Sequence, residues 1–342
     1  MQQIPKILII YTGGTIGMIK DPNSGALRAF NFDNLLVNIP EINLLDCQLE
    51  TVAIENPIDS SDMNPTYWSE IVSIIASNYK TNDGFVVLHG SDTMSYTASA
   101  LSFMLENLRK PVIITGSQLP IGDLRTDAKE NLITAIQIAS AQKNGKPIVR
   151  EVGLYFEYKL YRGNRTTKLN AEHFEAFDSP NYPPLAESGV HLKYDFEHLL
   201  KSEESELVVH KGLNTNIAIL KIFPGIKAEV VEAIISIPKL KGMVLETYGA
   251  GNATTEGWFI ELLKRAIKNG VHIVNVTQCS GGSVILGQYA TSTTLKQIGI
   301  ISGHDMTIEA ALTKLMYLLS LDLPSDEFRK NFETSLRGEV TN

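Results

Sequence analysis

Four short polar clusters supply the side chains that catalysis by a hydroxyl nucleophile requires. A threonine or serine hydroxyl becomes nucleophilic near neutral pH only when a base or a proton relay takes up its proton. A lysine beside a hydroxyl can take that part, and a carboxylate can bind a substrate ammonium group. We therefore predict a hydroxyl nucleophile with carboxylate and ammonium support from Thr12 with Thr15, the run Asp59-Ser60-Ser61-Asp62, the run Ser91-Asp92-Thr93, and the run Arg165-Thr166-Thr167-Lys168.

Each of these residues also has an ordinary structural interpretation. Asp92 begins a predicted helix, where the helix dipole favours a negative charge, and it could simply cap that helix. Ser91 could be a plain turn residue, and Lys168 could be a solvated surface charge. His89 is better explained as a packed residue at a strand end than as a base. Because isolated histidines without partners at ligand spacing do not form a metal site, we expect no metal and no cofactor.

The first cluster follows an apolar run that predicts a buried strand from Ile7 to Tyr11. Gly13 and Gly14 let the backbone turn sharply at the carboxyl end of that strand. Open α/β sheets bind ligands beyond their strand ends, so a substrate is expected near Thr12 and Thr15. An ordinary strand-to-loop turn would have the same composition. A phosphate-binding loop is less favoured, because no Gly-Lys-Ser/Thr follows.

Strands and helices are predicted to alternate through the first half of the chain. Further strands are predicted at 48–54, 84–88, 112–114 and 152–156. Helices are predicted from Pro65 to about Tyr79 with Asn64 as N-cap, from Met94 onward, and to about Ala141 with Asp127 as cap. This alternation indicates a mostly parallel sheet with helices on both faces, in which the first three polar clusters share one edge.

The length of 342 residues exceeds the usual size of a single core, so two domains are expected. We predict an N-terminal α/β domain over 1–195, a polar acidic linker over 196–206, and a C-terminal α/β domain over 207–342. The second domain is predicted to contain strands near 207–209, 242–245 and 272–276 and helices near 255–268, 306–319 and 325–334.

Composition narrows the classes of function and the location. A net charge of −8 disfavours nucleic acid and anionic membranes as partners. Cys47 and Cys279 form no disulfide framework, which fits a reducing compartment. The amino terminus leads directly into a strand without the features of a signal peptide, and no apolar run approaches the ~20 residues of a membrane helix. We expect a soluble cytoplasmic protein.

Seven motifs resemble the bacterial-type L-asparaginase family, and most closely its cytoplasmic type I branch. The resemblance covers nearly the whole chain. Its most specific part is the pair Thr-Gly-Gly-Thr and His-Gly-Ser-Asp-Thr-Met in this order and separation. The motifs are Tyr11 to Gly17, Asp59 to Met63, His89 to Met94, Thr115 to Gln118, Arg162 to Lys168, Tyr248 to Ala253, and Thr277 to Cys279.

This resemblance implies a two-domain fold, with a larger N-terminal, mostly parallel sheet flanked by helices and a smaller C-terminal α/β domain. It also implies hydrolysis of the side-chain amide of L-asparagine to L-aspartate and ammonia, in homo-oligomers built as dimers of dimers. Thr15 corresponds to the nucleophile, Ser91 and Lys168 to a proton relay, and Asp92 to the group that binds the substrate's α-ammonium. The corresponding substrate-binding residues are Gly14, Asp59, Ser60, Ser61, Gly90 and, across a subunit interface, Asn252.

Three departures from the family pattern are visible. Ser91 stands where the family usually has Thr, which keeps the hydroxyl. Relatives carry a Tyr in the lid loop, near the position of Ala26. The corresponding loop here, from Asp21 to Arg28, contains no Tyr. Glu246 replaces an Arg that binds a second, activating asparagine in type I relatives. A carboxylate cannot pair with an effector's carboxylate, so we expect weak or absent activation at a site that would comprise Glu246, Thr277, Gln278 and Cys279.

Other functions remain compatible with these residues. One extra methylene changes affinity by only ~1–3 kcal/mol, so a glutaminase or a mixed glutaminase–asparaginase stays open. The amidase subunit of an archaeal glutamyl-tRNA amidotransferase is less favoured. That subunit carries an extra amino-terminal module, whereas the first strand here begins directly, and the net negative charge disfavours binding of tRNA. A non-catalytic amino-acid sensor is disfavoured because it would need no nucleophile.

Overall fold

The computed structural model describes residues 4–20, 27–29, 39–201 and 205–341. It divides into two compact units, Met1–Lys211 and Gly212–Asn342. Residues 202–204 of the predicted linker and residues 21–26 of the predicted lid loop lie outside the described part. Among the described residues, no helix is both long and apolar enough to cross a membrane.

The first unit combines short strands with three α-helices in the described residues. Its strands are β1 (Lys6–Gly13), β2 (Met18–Lys20), β3 (Leu27–Ala29), β4 (Gln48–Ile58), β5 (Gly84–Leu88), β6 (Leu105–Glu106), β7 (Val112–Thr115), β8 (Gln142–Lys143), β9 (Lys146–Pro147), β10 (Val152–Phe156), β11 (Lys159–Arg162), β12 (Thr167–Lys168), β13 (Phe177–Asp178), β14 (Ala186–Glu187), β15 (Lys193–Tyr194) and β16 (Val208–Val209). Its α-helices are α1 (Pro65–Asn78), α2 (Met94–Met104) and α3 (Ala128–Ser140), and its 3-10 helices are Thr15–Gly17, Pro40–Leu44, Ser60–Asp62 and Gly163–Arg165.

Eight of these strands form one sheet in the order β15-β14-β11-β10-β7-β5-β1-β4. The five strands from β10 to β4 are parallel, and the remaining pairings are antiparallel. This confirms the predicted mostly parallel sheet. In β1, Ile7 and Ile9 pack in a core cluster with residues of α3. Leu8 and Ile10, which alternate with them along the strand, are also buried. Both faces of β1 are therefore covered, as parallel sheets require.

The starts of two helices show how local chemistry positions the elements. Asn64 accepts a hydrogen bond from the Thr66 amide at 3.0 Å, so it caps α1 as predicted. Asp127 occupies the N-cap position of α3 as predicted, but its side chain makes no capping hydrogen bond there. Its carboxylate instead accepts the amides of Gln118 and Leu119 at 2.8 and 3.1 Å, which fixes the loop after β7.

The second unit contains a four-stranded parallel sheet with helices between its strands. The strands are β17 (Ile217–Lys221), β18 (Gly242–Thr247), β19 (His272–Thr277) and β20 (Ile301–Ser302), in that spatial order. The helices are α4 (Ala228–Ile235), α5 (Gly257–Lys268), α6 (Ala290–Gln297), α7 (Ile308–Ser320) and α8 (Ser325–Glu333). Alternating strands and helices again bury a parallel sheet.

A buried ion pair ties the carboxyl-terminal segment to α7. The side chains of Lys314 and Glu339 are both 0% exposed and in direct contact. The Lys314 ammonium also donates to the carbonyls of Phe332 and Thr334 at 2.8 and 2.7 Å. The Glu339 carboxylate accepts the amides of Leu336 and Arg337, so both charges are well satisfied.

Replacing one partner of this pair is expected to destabilise the second unit strongly. Lys314→Met leaves the Glu339 carboxylate buried without its counter-charge, which costs about 3–5 kcal/mol. Denaturant unfolding monitored by circular dichroism measures the loss. The matched control is Lys264→Met, whose partner Glu261 is 70% exposed; that pair contributes at most about 1 kcal/mol. If the two variants lost equal free energy of unfolding, the stabilising role of the buried pair Lys314–Glu339 would be contradicted.

Candidate active site

The turn after β1 packs tightly against the ends of β4 and β5. Gly13 and Gly14 have φ of 118° and 87°, in the region that favours glycine. A Cβ on Gly13 would lie 2.0 Å from the Ile58 carbonyl oxygen, and one on Gly14 would lie 2.4 Å from the Gly90 amide nitrogen. The carboxyl ends of three adjacent parallel strands therefore meet at one edge, as the sequence predicted.

The two threonines of this turn have different surroundings. The Thr12 side chain is 1% exposed and donates to the Leu88 carbonyl at 2.9 Å. It therefore ties β1 to β5 and does not face a ligand, contrary to the expectation for this residue. Thr15 is only partly buried and begins the 3-10 helix that follows Gly14. Thr15 is thus the more exposed of the two residues.

Ser91, Asp92 and Lys168 form one hydrogen-bonded group. The Lys168 ammonium donates to the Ser91 hydroxyl oxygen at 2.8 Å and to the Asp92 carboxylate at 2.7 Å. The Lys168 side chain is 17% exposed and that of Asp92 is 65% exposed. The interpretation of Lys168 as a solvated surface charge is therefore wrong. Its ammonium group is held within reach of a hydroxyl and a carboxylate from a distant part of the chain.

Buried neighbours fix the segment that carries Lys168. The Arg162 guanidinium donates to the Glu151 carboxylate at 2.6 Å, and both side chains are about 4% exposed or less. Arg165 is 2% exposed and lies over the Tyr182 ring, 4.9 Å from its centroid. This basic run is therefore part of the core, and the partly buried Lys168 follows it in β12.

The loop after β4 is ordered by its own side chains. The Asp59 carboxylate accepts the Ser61 amide at 2.9 Å and the Ser61 hydroxyl at 2.8 Å. These hydrogen bonds hold the pKa of Asp59 below its ordinary value, so it stays charged in mildly acidic solution. Ser60 is 4% exposed, and its hydroxyl lies against Gly90. The Thr93 hydroxyl donates to the Ser60 carbonyl at 2.7 Å, which links this loop to the one after β5.

His89 is fully buried and supports the turn before Ser91. Its Nδ1 lies 2.7 Å from the Gly90 carbonyl oxygen, and its Nε2 lies 2.8 Å from the Thr97 hydroxyl. The Trp68 indole donates to the same hydroxyl at 2.9 Å. Burial lowers the pKa of His89 to about 4, so the imidazole is neutral near pH 7. This agrees with the expectation of a packed residue.

Gln118 joins the group without having been assigned a role from the sequence. The Ser91 hydroxyl donates to its Oε1 at 3.1 Å. Gln118 belongs to one of the motifs quoted above, and its position directly after β7 was the available signal. Within the described ranges, no three His, Cys, Asp or Glu side chains are arranged to hold a metal ion.

The remaining predicted site residues lie in the second unit. The Asn252 amide oxygen accepts the Thr291 hydroxyl at 2.6 Å. The Glu246 carboxylate pairs with the Lys221 ammonium at 3.1 Å. Gln278 donates to the carbonyl of Glu246 at 2.9 Å, so its amide group is occupied by the backbone. Thr277 accepts the amide of exposed Cys279 at 3.1 Å. Ala26 lies outside the described residues.

Comparison with known families gives two matches that together span most of the chain. Residues 6–199 match the family model described as Asparaginase, N-terminal. Residues 216–332 match the model described as Glutaminase/Asparaginase C-terminal domain.

Individual relatives resemble the chain over its full length. It is 44% identical to L-asparaginase 1 of Escherichia coli K12 over 340 residues, which is 99% of each chain. It is 42% identical to L-asparaginase I of Vibrio cholerae, with a TM-score of 0.90 and 99% of each chain covered. The thermostable L-asparaginase of Thermococcus kodakarensis shares 33% identity and a TM-score of 0.89, with 98% of this chain and 99% of that chain covered.

Proposed function

Because the chain belongs to the asparaginase family, we propose that it hydrolyses the side-chain amide of L-asparagine to L-aspartate and ammonia. The observation that carries the proposal is the group of Ser91, Asp92 and Lys168 beside the turn that bears Thr15. It joins a hydroxyl, a carboxylate and an ammonium at the edge where parallel sheets bind ligands. The full-length similarity to L-asparaginases supports the same substrate.

Thr15 acts as the nucleophile in this proposal. Its hydroxyl oxygen attacks the amide carbon and gives its proton to the relay of Ser91 and Lys168. The carbon–nitrogen bond breaks, and the relay supplies one proton to the nitrogen, which leaves as ammonia. A β-aspartyl ester on Thr15 remains, and water then cleaves it to aspartate and the free hydroxyl. Gly14 and Gly90 bring two backbone segments into contact here, and amides of such turns can stabilise the developing oxyanion.

Ser91 and Lys168 move the protons of the reaction. The ammonium of Lys168 donates to the Ser91 oxygen, so a proton can pass from Lys168 through Ser91 to the leaving nitrogen. When water attacks the ester, the proton that it loses passes along the same relay to the Thr15 oxygen, which restores the free hydroxyl. Asp92 shares the Lys168 ammonium and is largely exposed, which leaves carboxylate oxygen available for the substrate's α-ammonium group.

The charged end of the substrate is held by the loop of Asp59, Ser60 and Ser61 in this proposal. A zwitterionic amino acid carries both charges at one end, and binding that end aims the amide at Thr15. Asn252 is proposed to complete a neighbouring subunit's site, in a cytoplasmic homo-oligomer built as a dimer of dimers. Size-exclusion chromatography with light scattering measures the mass of that assembly.

Ammonia release by the purified protein tests the proposal. L-Asparagine, L-glutamine and D-asparagine are compared at matched concentrations, with kcat/KM as the measured quantity. We expect L-asparagine to give the highest value. Preference for L-glutamine would favour the glutaminase alternative. Tight binding of an amino acid without any ammonia release would favour the sensor and overturn the proposal.

Activation by asparagine is expected to be weak or absent. The Glu246 carboxylate repels an effector's carboxylate and is already paired with Lys221. The velocity should therefore follow a hyperbola against asparagine concentration, with a Hill coefficient of about 1. A cooperative, sigmoidal curve that Glu246→Arg leaves unchanged would contradict this prediction.

A further inference from the structure

Hydrogen bonds fix Gln118 both at its side-chain amide and at its backbone amide. Its Nε2 donates to the carbonyl of His173 at 2.9 Å and lies 3.4 Å from that of Ala171. Its backbone amide donates to the Asp127 carboxylate at 2.8 Å. That carboxylate is 5% exposed and also accepts from the Asn131 side chain at 3.2 Å. The amide group of Gln118 therefore has one defined position beside Ser91.

These contacts determine the direction of the Ser91 hydroxyl. Backbone carbonyls only accept hydrogen bonds, so the amide nitrogen of Gln118 must face them and its oxygen must face Ser91. An amide oxygen cannot donate, so Ser91 must supply the proton of the bond at 3.1 Å. The Lys168 ammonium has only donors, so it must donate to the Ser91 oxygen. Both the donor and the acceptor side of the hydroxyl are thereby assigned.

We propose that Gln118 is a positioning residue that orients the Ser91 hydroxyl for proton transfer, an inference that rests on the proposed function. Gln118 acts through Ser91 and gains or loses no proton itself. When the carbon–nitrogen bond breaks, the Ser91 O–H turns from Gln118 to the leaving nitrogen and gives up its proton there. A proton of the Lys168 ammonium moves to the Ser91 oxygen at the same step, and the proton that Thr15 gives up on attack replaces it, so Lys168 is an ammonium again in the acyl-enzyme.

Two substitutions separate positioning from simple packing. Gln118→Met keeps the length of the side chain but removes the acceptor for Ser91. We expect kcat to fall about tenfold, the effect of one hydrogen bond, while KM changes by less than about twofold. Gln118→Glu keeps an acceptor for Ser91, removes the donor to the carbonyls of Ala171 and His173, and adds a negative charge beside the relay. That charge stabilises the protonated relay, so the alkaline limb of the kcat profile should move to higher pH.

Steady-state kinetics across pH with asparagine, for the wild type and three variants, tests the inference. The third variant is Gln137→Met, the same change at an exposed position of α3, which should match the wild type. Wild-type values of kcat and pH profile in both Gln118 variants would overturn the positioning role. So would a Gln118→Met loss that appears entirely in KM. An inactive wild type would instead refute the proposed function, and the role of Gln118 with it.

Discussion

Replacing Thr15 with valine should lower the rate of asparagine hydrolysis by at least about a thousandfold. Valine has nearly the same shape as threonine but carries no hydroxyl, so no ester can form. The loss should appear in kcat, because the groups proposed to bind the charged end of the substrate are unchanged. Ammonia release under saturating asparagine measures it, and aspartate binding by calorimetry shows whether the site persists.

The same turn offers a matched control in Thr12→Val. The Thr12 hydroxyl is buried and donates to the Leu88 carbonyl, so its loss should lower the free energy of unfolding by about 1 kcal/mol. Activity should stay close to that of the wild type. Thr15→Ser, which restores a hydroxyl, should recover part of the rate. Equal turnover by Thr15→Val and Thr12→Val would remove Thr15 from its proposed role.

Replacing Lys168 with methionine should lower kcat by about a hundredfold or more, since a proton relay contributes on that scale. Methionine fills the space of the lysine stem but donates nothing to Ser91 or Asp92. Lys168→Arg discriminates between charge and proton transfer, because a guanidinium stays charged and cannot give up its proton. We expect the arginine variant to remain nearly as slow as the methionine variant.

A surface lysine provides the control for this experiment. Lys129→Met removes an exposed ammonium that lies 3.6 Å from Glu41, and activity should be unchanged. Full activity of Lys168→Arg would contradict the relay and leave only an electrostatic role for Lys168. Full activity of Lys168→Met would contradict both roles.

Strands with strong local signals were predicted well. Gly84–Leu88 and Val152–Phe156 have the predicted bounds, because each is an apolar run whose residues are buried on both faces. The strand Ile217–Lys221 was missed, since in it only Leu220 is fully buried. The helix Ala228–Ile235 was also missed, because its valines and isoleucines favour a strand and only Val231 is fully buried.

Long-range pairings explain the other differences. Val208–Val209 was assigned to the second domain, but it pairs with Leu105–Glu106 in the first unit. The second strand was predicted to end at residue 54, but β4 continues to Ile58 through a register shift opposite Gly13. Strand partners that lie far apart in the sequence leave no periodic pattern in either segment, so single-segment signals cannot identify them.

The contacts of the candidate site could likewise be predicted only in part from the sequence. Adjacent parallel strands brought the turns of Thr15, Ser60 and Ser91 to one edge, which the alternation of elements predicted. The contact of Lys168 with Ser91 joins residues 77 apart, and only the resemblance to a family pointed to it. Gln118 lies in one of the family motifs, but its role was not predicted, because that role depends on the carbonyls of Ala171 and His173 that fix its amide.

The most direct test of the account is to locate the acyl group during turnover. The protein is mixed with asparagine, quenched in acid within one turnover and digested with trypsin, which releases the peptide from Ile7 to Lys20. Fragmentation of this peptide distinguishes Thr12 from Thr15. The account predicts an aspartyl ester on Thr15. An ester on another residue, or product formation while no residue carries an aspartyl group, would contradict it.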